Sequence, residues 1–204
     1  MKKLNQYLSQ FDVSRETLDK LKTYEALLYK WQKAINLVSN ATIKDAEIRH
    51  FLDSAQLYDY LNNDVQSVVD IGSGAGFPAL VLAILRPDIE FSVIESDQRK
   101  CTFMATVSRE TSMNNLTIHN ERIENVEGLN ADVVSARALK DLNTLFGFAT
   151  MFEPKFCLFP KGQNYAQEVA QAKENGWSFD FEEKQSITDE NAKILKITNL
   201  VKTQ

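Results

Sequence analysis

The chain has 204 residues, with 23 Lys and Arg against 28 Asp and Glu and a formal net charge of -5 at pH 7. It is 44% hydrophobic and 25% charged, an ordinary globular composition, and no uninterrupted apolar run approaches the ~20 residues that span a bilayer. Cys101 and Cys157 lack CxxC spacing, and His50 and His119 are the only histidines, which argues against a disulfide framework and against a metal site.

The opening "MKKLNQYLSQ" has two lysines but no apolar core of signal-peptide length, so a cytoplasmic chain with reduced thiols is expected. The length suits one domain with a small extension. We divide it into an N-terminal helical extension, residues 1–62, and a second part, residues 63–204. In the extension Leu18, Leu21, Leu28, Trp31 and Ile35 recur near helical spacing, with Ser14 as N-cap. "INLVSN" breaks the pattern. "TIKD" (42–45) then fits a capping box with Thr42 as N-cap and Asp45 at N3. The helix it opens runs to about Leu61, with Ile48, Phe51, Leu52, Ala55 and Tyr58 as its apolar stripe, and "NND" (62–64) is the turn out.

From residue 66 the period changes. "SVVDI", helix 77–86, "EFSVIES", helix 97–112, "LTIHN" and "ADVVSA" alternate, followed by helix 141–151, "KFCLFP", helix 164–174, "WSFDFEEK" and "AKILKITNL". Strands alternating with helices imply a parallel sheet with right-handed crossovers. The last two strands have no helix between them, so they are expected as an antiparallel hairpin on the sheet edge. A six-stranded dinucleotide-binding sheet lacks that tail.

"VVDIGSGAGFP" (68–78) carries the chemistry. Gly72, Gly74 and Gly76 are spaced G-x-G-x-G, and Phe77 stands where a dinucleotide fingerprint has its third glycine. The turn lets backbone approach a ligand, and the following helix N-terminus favours an anion. Pro78 costs nothing in a first helical turn, and Pro87 ends that helix at Arg86. Asp70 ends the first strand. Glu95 ends the second, 19 residues after Gly76, where a carboxylate can accept both hydroxyls of a ribose.

This combination resembles the class I S-adenosylmethionine-dependent methyltransferases, with a Rossmann-like, seven-stranded, mostly parallel sheet. The resemblance sharpens with "LLYKWQKAINLVS" (27–39), "RHFLDS" (49–54), "DIGSGAGFP" (70–78), "IESDQRKCTFM" (94–104), "ERIEN" (121–125), "SARAL" (135–139) and "PKG" (160–162). In that order they are similar to the RsmG family, also called glucose-inhibited division protein B, over nearly the whole chain. That family methylates guanine N7 in bacterial 16S ribosomal RNA. Gln32–Lys33 and Ala79 depart from its usual Asn and Gly. The resemblance implies that Gly72 and Phe77 line the methionine part of S-adenosylmethionine, that Ile123 and Glu124 lie along its adenine, and that Arg137 contacts it. From the residues alone, Ile123 reads as core and Glu124 as a solvated loop acid.

An amino-methylating Asn/Asp-Pro-Pro-aromatic motif is absent after the fourth strand, where "SARAL" stands, and neither cysteine looks presented as a nucleophile. A ring nitrogen such as N7 has a lone pair and no proton to remove, so this pattern is compatible with N7 chemistry without proving it. Arg99, Lys100, Arg122, Arg137, Lys140 and Lys161 all follow strand ends and form an expected phosphate-binding rim for ribosomal RNA or the small subunit. The acidic segment 174–190 is expected to face away from it. His50 and Arg49 are candidates for positioning the target, against the plainer alternative of a satisfied half-buried histidine. No base role follows. Competing functions are methylation of a small molecule or protein, which predicts an apolar substrate pocket, and a non-catalytic RNA-binding module, which predicts a lost cofactor residue.

Overall fold

Residues 1–203 are described in a computed structural model. Its sheet contains β1 (Ser67–Ile71), β2 (Glu90–Ile94), β3 (Leu116–His119), β4 (Val133–Ser135), β5 (Phe156–Lys161), β6 (Trp177–Gln185) and β7 (Lys193–Lys202). Their order is β3-β2-β1-β4-β5-β7-β6. The pairs β1–β2, β2–β3, β1–β4 and β4–β5 are parallel, while β7 runs antiparallel to both β5 and β6. The terminal hairpin therefore forms as expected, with β7 wedged against β5 and β6 on the edge. Strand order reverses between β1 and β4, and open α/β sheets bind ligands beyond the strand ends at such a point.

Successive β1 residues face opposite ways. Val68 joins a core with α4 (Ala79–Leu85) and α5 (Gln98–Glu110), whereas Val69 and Ile71 join one with α6 (Leu142–Ala149) on the other side. That second face is completed by α7 (Tyr165–Glu174) through Val169 and Ala172. The extension covers the α4–α5 face. Leu4 and Leu8 of α1 (Lys2–Leu8) and Leu21, Tyr24 and Leu28 of α2 (Arg15–Gln32) are buried with Phe77, Leu80 and Phe103 in one continuous core. Ser14 caps α2 as expected, its Oγ accepting from the Thr17 N–H at 3.1 Å.

The segment after "INLVSN" differs from the single regular helix expected there. A 3-10 turn (Ile43–Asp45) leads into a π-helical turn (Glu47–Leu52), one α-turn, α3 (Asp53–Ala55), and a second 3-10 turn (Gln56–Tyr60). Thr42 stands at the N-cap of the first 3-10 turn, but its side chain makes no capping bond. The Ser39 carbonyl accepts the Thr42 and Ile43 N–H groups, and the Thr42 hydroxyl is engaged with Ser39 and His50 instead of the turn. The π turn widens the helix at Arg49 and His50, the pair singled out in the sequence, and such bulges concentrate at functional sites.

Candidate active site

A cavity of about 750 Å³ opens beyond the carboxyl ends of β1 to β4. The loop after β1 gives it Gly72 and Gly74, the end of β2 gives Glu95, the turn after β3 gives Ile123 and Glu124, and the loop after β4 gives Arg137. Six candidates spread over 66 residues of sequence thus share one wall.

The glycines do different work. Gly74 has φ +60°, and a Cβ there would meet only the Gly72 carbonyl at 4.0 Å, so it faces open cavity. A Cβ on Gly72 would strike Leu139 at 2.5 Å, and one on Gly76 would strike Leu80 at 2.8 Å. Those two are therefore held to glycine by the neighbouring leucine side chains. Glu95 fastens the loop: Oε2 accepts the Gly74 N–H and Oε1 the Asp97 N–H, both at 2.9 Å. A carboxylate offers about four lone-pair sites, so each oxygen keeps one free. Glycine backbone bared to the cavity beside a carboxylate with spare acceptors fits a nucleoside ligand such as S-adenosylmethionine, with Glu95 on its hydroxyls.

Asp70 and Gly76 are not on the cavity wall. Asp70 is 0% exposed; its Oδ1 accepts from Ser135 Oγ at 2.6 Å, tying β1 to β4. Its Oδ2 has no partner, and burial drives the carboxyl up to about 7 against the opposing pull of Ser135, Ser73 and Arg137.

Phe77 is the hinge between extension and cavity. Tyr24 stacks on it at 5.2 Å, His50 stacks at 5.1 Å, and the Arg137 guanidinium lies 5.0 Å over its ring. Arg137 donates to the Arg49 carbonyl at 2.8 Å, to His50 Nδ1 at 2.9 Å and to Asp53 Oδ2 at 3.3 Å. His50 is 7% exposed, and its Nε2 bonds the Thr42 hydroxyl at 2.9 Å. With Arg137 donating to Nδ1, the proton sits on Nε2. Burial, then the Arg137 and Arg49 charges, push its pKa down to about 3. His50 is therefore the satisfied, neutral histidine of the plainer alternative.

The rim is only partly as expected. Lys100, Arg122 and Lys140 line the cavity together with Arg137. Arg99 instead turns onto Asp97 at 3.0 Å. Lys161 departs further: its side chain is 9% exposed, 2.6 Å from Glu168, and its Nζ donates to the Lys140 carbonyl. That cation is spent on holding the β4 loop. The acidic segment does not wholly face away either. Glu182 and Glu183 are set across from Lys196 and Lys193 of β7, but the turn after β6 bends back to the extension. There Asp189 pairs with Arg49 at 3.1 Å, and Thr188 donates to Asp53 at 2.6 Å.

Neither cysteine is available. Cys157 is fully buried, with burial raising its thiol to about 12, and the Cys101 thiol bonds the Glu95 carbonyl. Among the described residues no group of three or more His, Cys, Asp or Glu can hold a metal, and no helix is long and apolar enough to cross a membrane.

Tyr24 escaped the sequence reading. Buried in α2, it donates to the Ala75 carbonyl at 2.7 Å and braces the glycine loop from 51 residues away. So did Leu37, Val38 and Ser39, which line the cavity. Their signal was the break in "INLVSN": Gln32, one of the departures from family usage, accepts the Leu37 and Val38 N–H groups and shapes that loop.

This sheet, its switch-point cavity and the glycine–carboxylate cradle define a class I S-adenosylmethionine-dependent methyltransferase. Solved structures share the fold: a magnesium protoporphyrin IX methyltransferase from Synechocystis with bound S-adenosylmethionine aligns with TM-score 0.62 at 13% identity, covering 92% of this chain and 98% of that one. An O-methyltransferase from Klebsiella pneumoniae aligns with TM-score 0.61 at 12% identity, covering 96% and 95%. The family described as rRNA small subunit methyltransferase G (GidB) matches residues 17–198, and the chain belongs to it. Relatives named ribosomal RNA small subunit methyltransferase G are 47% identical over 196 residues in Rhodospirillum centenum (95% of this chain, 89% of that protein) and 46% identical over 193 residues in Rickettsia felis (94% and 98%).

Proposed function

We propose that the chain methylates N7 of a guanine in 16S ribosomal RNA, in the cytoplasm, with S-adenosylmethionine as donor. Gly72, Gly74 and Glu95 hold the donor, Ile123 and Glu124 flank its base, and Arg137 and Phe77 close its methionine end. Bound there, the donor supplies a sulfonium-activated methyl group. N7 presents an in-plane lone pair and bears no proton, so the chain need only orient the base, exclude water and bear the developing positive charge.

The observation that carries this is the chemistry left at the cavity. His50 is neutral with both nitrogens engaged, and neither thiol is presented. Neither the imidazole nor a thiol is free to act as base or covalent nucleophile, which suits a nitrogen that needs neither. A non-catalytic module fits poorly, because the glycine cradle and Glu95 are intact. An apolar small-molecule site fits poorly too, because the adjoining second cavity of about 580 Å³ is lined by Lys140, Asp141, Asn164, Gln167, Asp189 and Lys193.

The test is mass mapping of 16S ribosomal RNA from cells with and without the protein. One guanine should lose a methyl group in its absence and regain it with purified protein and donor. That guanine should also cleave after borohydride and aniline treatment, which reports N7. Unchanged RNA, or a methyl group on another atom, refutes the assignment.

A further inference from the structure

Arg49 stands where the two cavities meet and lines both, and Asp189 faces it from the second. Their contact joins the extension to the turn after β6, 140 residues away in sequence. It is a single contact, Nη1 to Oδ2 at 3.1 Å, between side chains 44% and 33% exposed. Such a pair is weak in water, and it leaves the rest of the guanidinium fork open.

The neighbouring groups fix where change can occur. Asp189 Oδ1 accepts the Asn191 N–H at 3.0 Å, so its turn holds it whether or not Arg49 is present. The turn is itself anchored: Gln56 accepts the Ile187 N–H at 3.0 Å and donates to Ser186, and Thr188 bonds Asp53. Arg137, beside Arg49, has its donors turned inward on His50, Asp53 and the Arg49 carbonyl. Arg49 is thus a cation at the junction with outward-facing donors, its backbone held by Arg137 and its head held only by a carboxylate.

We propose that the Arg49 guanidinium is the binding point for a backbone phosphate of the target nucleotide, and that Asp189 occupies it as an internal anion until RNA displaces it. This rests on the ribosomal RNA assignment above. A phosphodiester engages an arginine through two parallel N–H bonds, which the single carboxylate contact does not match. The exchange needs only a side-chain rotation, because the anchored turn stays in place. The carboxylate masks the cation from isolated anions and yields to a phosphate that arrives with the rest of the RNA on Lys100, Arg122 and Lys140.

The experiment measures affinity for a 16S ribosomal RNA transcript against salt concentration in wild type, Asp189→Asn, Arg49→Gln and the double variant. Asn keeps the Oδ1 acceptor for Asn191, so the turn should stay folded; equal thermal midpoints check this. Asp189→Asn should bind RNA more tightly, by up to about fivefold for an exposed pair of this kind. Its log–log salt slope should be steeper, because no freed carboxylate takes up a cation on binding. Its affinity for S-adenosylmethionine should not change. In the Arg49→Gln background the same substitution should gain little, because there is no cation left to unmask. An equal gain in both backgrounds means simple repulsion and overturns the proposal, as does unchanged or weaker binding by Asp189→Asn. A wild type that neither binds nor methylates the transcript overturns the RNA assignment itself, a different result from an RNA-binding wild type that Asp189→Asn leaves unaltered.

Discussion

His50→Asn isolates the protonation cost of the residue at the centre of the Arg137 cluster. In the folded protein Arg137 donates to Nδ1, so a proton on that nitrogen would break the bond and set two cations against each other. Burial first, then the Arg137 and Arg49 charges, lowers the pKa from 6.5 to about 3. The folded state then binds fewer protons than the unfolded state between those values. Stability is complete above pH 6.5 and is lost as pH falls from there toward 3, at ~1.4 kcal/mol per unit. By pH 5 the loss is about 2 kcal/mol. Asn offers Oδ1 to Arg137 near the place of Nδ1 and does not titrate. It forfeits the stack on Phe77 and the Thr42 bond, a constant loss of ~1–3 kcal/mol. The stability gap between wild type and variant should therefore narrow by about 2 kcal/mol from pH 7.5 to pH 5. Denaturant unfolding at matched m-values measures this. A gap that is constant or widens over that range refutes the buried neutral imidazole. So does a methyl-transfer pH profile with an inflection near 6.5 that the variant lacks.

Gly74→Val should abolish S-adenosylmethionine binding by calorimetry while the protein stays folded, because the new side chain would project into open cavity rather than into packing; normal affinity would remove Gly74 from the cradle. Cys101→Ala with Cys157→Ala should lose ~1–3 kcal/mol of packing stability yet keep methyl transfer where folded, and a loss of several orders of magnitude would point to covalent catalysis. Lys140→Ala should flatten the salt dependence of RNA affinity by ~0.7–0.9 in slope, whereas Lys161→Met should mainly lower the unfolding midpoint, because its ammonium is engaged with Glu168. Tyr24→Phe leaves the buried Ala75 carbonyl without its donor, so it should cost ~1–3 kcal/mol of stability and weaken cofactor affinity; an unaffected affinity would separate α2 from the site.

The sheet was legible because its strands and helices differ in period, and some of them are punctuated by a glycine or proline. Pro87 stops α4 where expected, and Arg86 takes the extended φ of -127° that a residue before proline favours. The cavity wall was legible for a related reason. Strand ends are visible in sequence, and a parallel sheet puts all of them on one side. What stayed hidden depends on pairing between distant side chains. Nothing near "PKG" announces that Lys161 is neutralised by Glu168, seven residues later on the next helix. Nothing in "SITDEN" announces that Asp189 returns to Arg49. The irregular 43–60 segment was missed for a different reason: Thr42 and Asp45 form a good local cap pattern, and a tertiary contact with His50 outbids it for the Thr42 hydroxyl.

The extension is consequently part of the site. Tyr24 braces the Ala75 carbonyl, His50 lies on Phe77, and Asp53 with the Arg49 carbonyl holds Arg137 over the same ring. A glycine loop is soft, because three of its residues carry no side chain to pack. Its shape must be imposed from outside, by Glu95 on one side and by the extension on the other. The Arg49 carbonyl and the His50 Nδ1 edge, both on the π turn, face the same guanidinium. One arginine thus reads whether the extension, the glycine loop and the β4 loop are all in register. Asp189 lines the second cavity and not the one walled by Gly74 and Glu95, and this is why a charge change there is expected to act on RNA alone.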